Sequence, residues 1–297
     1  MPLFVLFVFG AVLLGAGAMI APAWPTAQPR VGLGAAFSLA IIVGGTVFYA
    51  SLFGWDVLVI DYLLFALVVG IFLSGTLSAA EARAEERGED IPADSEQGWT
   101  GPQDLAFFAV VALVCVAPVL IFPAPLGTSA VDYGYLSLVT RAGGTFDTFA
   151  PFYPQIEYLY APGFSALTAY LSQQLNQSIL TVQFSVAGVL ALLNVWVAYD
   201  MGAEIRDKKL GRAMALTMLG SLAVLSSVVY GHYPALMGLL FLQAFIIYAL
   251  RYQREGTRSD GVSAGLMLGA VMVAHPGMAI TAFLGYVPWL GTMWLAS

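Results

Sequence analysis

Charge is scarce in this sequence. Only 10% of its 297 residues are Asp, Glu, Lys or Arg, whereas 60% are hydrophobic, and the mean hydropathy is +0.84. Repeated apolar runs of about twenty residues match a bilayer's hydrocarbon thickness when helical, which excludes an ordinary water-soluble domain. Cysteine is nearly absent. The single Cys115 lies inside an apolar run, so neither an intrachain disulfide nor a Cys-based metal centre is available. The 11 Lys and Arg residues form no basic surface with interleaved aromatics, and no nucleic-acid partner is implied. C-x-x-C, H-E-x-x-H, G-x-S-x-G and the glycine-rich phosphate loop are missing too, so soluble nucleotide chemistry and the common zinc hydrolases have no support. No repeat of fixed period is present.

What is there is a succession of apolar segments, at 3–22, 31–53, 57–79, 104–123, 178–200, 213–230, 234–250, 261–275 and 277–297. They predict an all-α polytopic bundle of about nine or ten transmembrane helices in one integral domain. The first run lacks a basic n-region and an A-x-A site and reads as a retained helix. Residues 1–79 form three N-terminal spans, and 80–103, with "EARAEERGEDIPADSEQG", is an acidic solvated connection. Basic residues are retained on the cytoplasmic side of short loops. Placing "EIRDKKLGR" inside puts Arg30, Arg83, Arg87, Arg206, Lys208, Lys209, Arg212, Arg251, Arg254 and Arg258 inside and leaves Arg141 alone outside. That topology sets the N-terminus and the long connection 124–177 on the outer face, as expected for a multi-pass protein of a prokaryotic plasma membrane.

Polar groups collect on that outer side. Asp132 and Tyr133 follow the fourth span, then come Arg141, Asp147, Glu157, Tyr158 and Tyr160, and both histidines fall in outer turns, "GHYP" (His232) and "AHPG" (His275). Polar turns, interfacial tyrosines and capping histidines account for such residues one by one, but their collection on one face points to a site. Asp132 stands out. A carboxylate at the membrane edge is dehydrated enough to act as a base or to hold a divalent cation, with Asp147 as a second metal candidate; a solvated loop aspartate is the plain alternative. Arg141 suits either pairing with Asp132 or binding a phosphate. Asp61, about 7 Å along a helix from Asp56, reads as an interfacial carboxylate. In "PGFSALTAYLSQQLNQS" the spacing of Phe164, Leu167, Tyr170 and Leu171 opposite Ser172, Gln173 and Gln174 predicts an amphipathic helix from Pro162 lying in or against the outer interface. Gly261, Gly265 and Gly269 predict a close-packing helix face.

The order of these features resembles the GT-C superfamily of membrane glycosyltransferases. In that pattern a span is followed by an outer loop with an acidic residue near its start, here "TSAVDYGYLSL". An interfacial helix follows, introduced by a Tyr/Pro-Gly-Phe element, here "YLYAPGFSALTAYLSQ", and then short spans with a turn like "HPG". The resemblance covers 104–297 and implies further spans beyond "WLGTMWLAS". It also implies transfer of a sugar from a polyprenyl-phosphate donor in the membrane lipid to a glycan, lipid or protein acceptor, with inversion at the anomeric carbon. Asp132 would then be the base or a metal ligand. Arg141, His232 and His275 would be candidate partners of the departing phosphate, and Tyr133, Glu157, Tyr158 and Tyr160 would form a substrate-binding wall. A non-enzymatic translocator, transporter or structural pseudoenzyme is the competing class; a transporter would place polar groups at its midplane, where this sequence has few, such as Gln183, Asn194 and Gln243.

Overall fold

A computed structural model describes residues 2–23, 31–66, 69–70, 102–143 and 146–296. The expected acidic connection up to residue 101, the far part of the third span, and Arg30, Arg83 and Arg87 lie outside the described residues. The order is α1 Pro2–Ala23, α2 Val31–Phe53, α3 Val57–Ala66, α4 Pro102–Ile121, α5 Ser129–Gly143, β1 Thr148–Phe149, β2 Tyr153–Glu157, α6 Gly163–Gln174, α7 Ile179–Ile205, α8 Lys208–Gly220, α9 Leu222–Tyr230, α10 Tyr233–Glu255, α11 Arg258–Ala274 and α12 Pro276–Ala296. The all-α expectation holds, with helices at each position where the sequence placed a span. Among the described residues α2, α7 and α10 are long and apolar enough to cross a membrane. The expected span 213–230 is instead a pair, α8 and α9, bent by 43°. Ser221 takes an extended conformation between them and its side chain accepts the Ala223 N–H, capping the new helix and ending the old one. The chain is a membrane protein built as a helical bundle.

Three apolar helices form the centre. Leu33 and Leu39 of α2, Leu190 and Leu193 of α7, and Leu236 and Phe241 of α10 are fully buried, which is why these helices are hydrophobic around their whole circumference rather than along a stripe. Some of their few polar residues bond to one another or to backbone. Gln243 donates to the Asn194 carbonyl oxygen at 2.8 Å, and the Asn194 amide donates to the Leu190 and Leu236 carbonyls, joining α7 to α10. These bonds offset part of the cost of burying the amides, while Gln243 Oε1, Thr46 Oγ1 and the Tyr233 hydroxyl are left without a partner among the described residues.

Further elements differ from the sequence expectation. Residues 129–143, read as open loop, form α5. The helix starting at Pro162 exists as α6, but it is wedged into the bundle instead of lying against its surface: Phe164, Ser165, Leu167, Thr168 and Ser172 are all buried. Its polar face is buriable because the small hydroxyls turn back on the helix. Ser165 donates to Pro162 O at 2.9 Å, Thr168 to Phe164 O at 2.9 Å and Ser172 to Ala169 O at 2.8 Å. Gly163 permits the entry, since a Cβ there would stand 2.7 Å from Val273 O and 3.0 Å from Val43 Cγ1. The glycine face of α11 is also corrected. Gly261 does pack, a Cβ there standing 3.1 Å from the Tyr252 ring of α10, but Gly265 and Gly269 are exposed and among the described residues nothing approaches their Cβ positions.

Candidate functional site

The site is built where α5, α6, α9, α10 and the α11–α12 turn meet, at one end of the bundle. The opposite end carries the basic segments 206–212 and 251–258. Asp132 stands in the first turn of α5 with an exposed side chain. An aspartate in the first turn complements the positive end of the helix dipole, which is the simplest structural reason for its presence there. Tyr133 turns inward, and its ring meets Phe164 edge-on at 6.3 Å; Phe164 in turn touches Tyr233 at 5.4 Å. Partial burial pushes the Tyr133 hydroxyl up from its usual range, and Tyr160 and Asp132 nearby push it further the same way. Tyr133 is therefore a neutral hydroxyl, with Asp132 and Tyr160 as its electrostatic neighbours. Tyr160 is 56% exposed.

His232 comes from the adjoining turn. Gly231 ends α9 in the left-handed conformation at φ 90°, and a Cβ on it would lie 2.5 Å from Ala130 N, so this turn presses on the start of α5. His232 follows immediately, exposed, and makes no capping hydrogen bond with its side chain. Asp132 and His232 thus sit on two elements in direct contact.

The remaining sequence candidates separate. His275 caps α12: its Nδ1 accepts the Met278 N–H at 3.2 Å, and partial burial lowers its pKa below the usual histidine value, both of which keep the ring neutral. Its Cβ would be only 2.9 Å from a Cβ on Gly238, five residues into α10 past Tyr233, so it is recessed by about 7.5 Å along that helix. A neutral, engaged ring does not supply the phosphate-binding cation expected from sequence. Arg141 is exposed in the last turn of α5. Nine residues separate it from Asp132, about 13 Å along the axis, so the two do not pair. Tyr158 is buried; its hydroxyl shares a 2.6 Å hydrogen bond with Ser165 and its ring packs on Phe146 and Phe149. Burial raises its pKa against the hydrogen bonds from Ser165 and Thr140. It holds the hairpin to α6 and presents no face to a substrate. Asp147 and Glu157 are exposed on that hairpin, where Glu157 pairs with Thr148. Among the described residues no group of three or more His, Cys, Asp or Glu side chains is placed to hold a metal ion.

Sequence reasoning missed two clusters. Asp61 accepts from Tyr170 at 2.6 Å and from Gln174 at 2.5 Å, while Trp55 donates to Gln173 at 2.8 Å, so five side chains tie α3 and its approach to the end of α6. Asp61 carried a signal, being a carboxylate in an apolar run, but its partners lie more than a hundred residues away. At the basic end, Arg251 is buried and bridges Glu204 at 2.8 Å. Asp200 accepts the Leu33 N–H at 3.0 Å and so caps the start of α2, and Asp260 is bonded to the Thr257 hydroxyl. Asp200 within "NVWVAYDMGAEI" was the available signal. Compared with protein families, with characterised proteins and with solved structures, the chain has no match.

Proposed function

We propose that the protein is a membrane glycosyltransferase that moves a sugar from a polyprenyl-phosphate donor to an acceptor hydroxyl at the α5–α6 end of the bundle, and that this end faces outward from a prokaryotic plasma membrane. The observation that carries the reading is the grouping of Asp132, Tyr133, Tyr160 and His232 on touching elements at the end opposite the basic loops. An exposed carboxylate beside tyrosine side chains is suited to take a proton from a sugar-like hydroxyl, while the phenols donate hydrogen bonds and offer ring faces.

In the proposed reaction the acceptor oxygen attacks the anomeric carbon as Asp132 removes its proton. The new C–O bond forms as the bond from that carbon to the lipid phosphate oxygen breaks, and the phosphate leaves with the electron pair. A single displacement inverts the anomeric configuration. His232, exposed beside the start of α5, is the nearest candidate to meet the phosphate, and Arg141 would reach only the far end of an elongated substrate. Asp132 acts here as a base rather than through a divalent cation, so treatment with EDTA should leave the rate unchanged; loss of activity on chelation, restored by a divalent metal, would assign it to metal binding instead. The test of the whole reading is transfer of radiolabelled sugar from a broad panel of polyprenyl-phosphate donors by purified protein in lipid. Transfer with inverted product supports it. No transfer across the panel, with the protein folded, moves the assignment to a non-enzymatic membrane protein.

A further inference from the structure

The segment between α4 and α6 exposes more apolar surface than an aqueous loop can carry. On α5, Val131, Tyr135 and Leu138 are 70%, 36% and 48% exposed. Their spacing of four and three residues places them in one stripe on the side away from the buried Ala130, Leu136, Ser137, Val139 and Thr140. The helix is therefore apolar on both sides. The hairpin extends the stripe: Tyr135 touches Phe149 and Phe152 at ring distances of 6.1 and 6.3 Å. All five residues of β2, Tyr153 and Ile156 included, are exposed, and Leu159 is 81% exposed. A lone two-stranded ribbon is marginal in water, and contiguous apolar surface of this kind marks an interaction face.

Two observations identify what covers it. The stripe continues an apolar flank of the bundle without a charged residue between them: Leu113 and Ile121 of α4 are 69% and 71% exposed, and the connection "FPAPLG" brings 61% exposed Leu126 to the foot of α5. On α5 the charges are Asp132 and Arg141, one at each end of the stripe, and on the hairpin they are the exposed Asp147 and Glu157 at the two ends of the ribbon, with aromatic rings along the border. Aliphatic residues bounded by tyrosines and terminal charges match the boundary between acyl chains and headgroups.

We infer that the exposed apolar face of α5 and the 149–159 hairpin is immersed in the lipid bilayer at the level of the acyl–headgroup boundary, with Asp132, Arg141, Asp147 and Glu157 at headgroup height. The segment read from sequence as a solvated outer loop is then a membrane-inserted element, and α5 rather than α6 is the helix that meets lipid. For the transferase proposed above, on which this consequence alone rests, the site opens sideways into the bilayer, and a lipid-borne substrate reaches Asp132 without leaving it.

The experiment places a nitroxide label at Leu138→Cys, Ile156→Cys or Leu159→Cys in a Cys115→Ala background, in vesicles of phosphatidylcholine and phosphatidylglycerol. Collision with oxygen, which concentrates in lipid, is compared with collision with a water-soluble nickel chelate. Leu113→Cys serves as the lipid reference and Lys209→Cys as the water reference. An oxygen-to-nickel ratio severalfold above that at position 209 and close to that at 113 is expected at all three sites. A ratio equal to that at 209 would place the face in water. Low collision with both reagents would show a protein partner or second copy covering it. Either result overturns the inference. Leu159, being 81% exposed, makes few contacts and tolerates the label even if the α5 variants do not fold. Because the readout needs no turnover, failure of the transferase proposal leaves it intact.

Discussion

His275 sits where partial burial and the bond from Met278 N–H both favour its neutral ring. Its pKa in the folded protein is below the usual 6.5, so the unfolded chain takes up a proton first as the pH falls. The stability it contributes is fully present above pH 6.5 and is lost as the pH drops from there through the lowered folded value. Asn keeps a capping acceptor and does not titrate. The midpoint of thermal unfolding in detergent is therefore expected to fall more steeply between pH 7 and 5 for the natural protein than for His275→Asn. Parallel profiles would show that the ring is not held neutral. His232 is exposed and its side chain makes no capping bond, so of the two histidines it is the one open to a ligand.

At the scale of elements, α6 is the piece on which the site depends, because Phe164 backs Tyr133 and Ser165 holds Tyr158. Gly163→Ala drives a methyl against Val273 O and Val43, and overpacking of this kind costs about 1–3 kcal/mol. Gly269→Ala meets open space and gains helix propensity, so it is expected to stabilise by up to about 1 kcal/mol. Thermal unfolding of the two variants should shift in opposite directions; equal shifts would mean that α6 is not wedged as described. The existence and register of the helices were legible because a bilayer-length apolar run leaves few alternatives. The α6 start was legible too, through Pro162 and Gly163. Its depth was not: serine and threonine look like a solvent face in a helical pattern, and only the bonds back to Pro162, Phe164 and Ala169 show that they are buriable. In the same way Tyr158 and Tyr160 read alike in sequence. One is locked under the hairpin and the other is open, a difference set by Ser165, Phe146 and Phe149. The helix α5 was hidden because its period is apolar on two sides and so lacks the single stripe that marks an ordinary surface helix.

For the whole molecule, the two ends differ in charge. Arg206, Lys208, Lys209, Arg212, Arg251, Arg254 and Arg258 gather at one, and Arg141 alone is at the other among the described residues. The orientation proposed from this asymmetry is tested by single cysteines at Ser129→Cys and Ser259→Cys in a Cys115→Ala background. An impermeant maleimide on intact cells should label position 129 and spare 259; the reverse pattern would invert the protein and put the site on the cytoplasmic side. The proposed function rests on sugar transfer through Asp132. It is tested most directly by comparing Asp132→Asn with the natural protein, at equal amounts in the same lipid, for transfer from the donor that the panel identifies. Asn keeps the size and hydrogen-bonding capacity of the side chain and removes its charge. The account predicts a fall of about 10²- to 10⁴-fold with an unchanged unfolding midpoint, whereas equal rates would contradict it and leave Asp132 as a helix-terminal carboxylate.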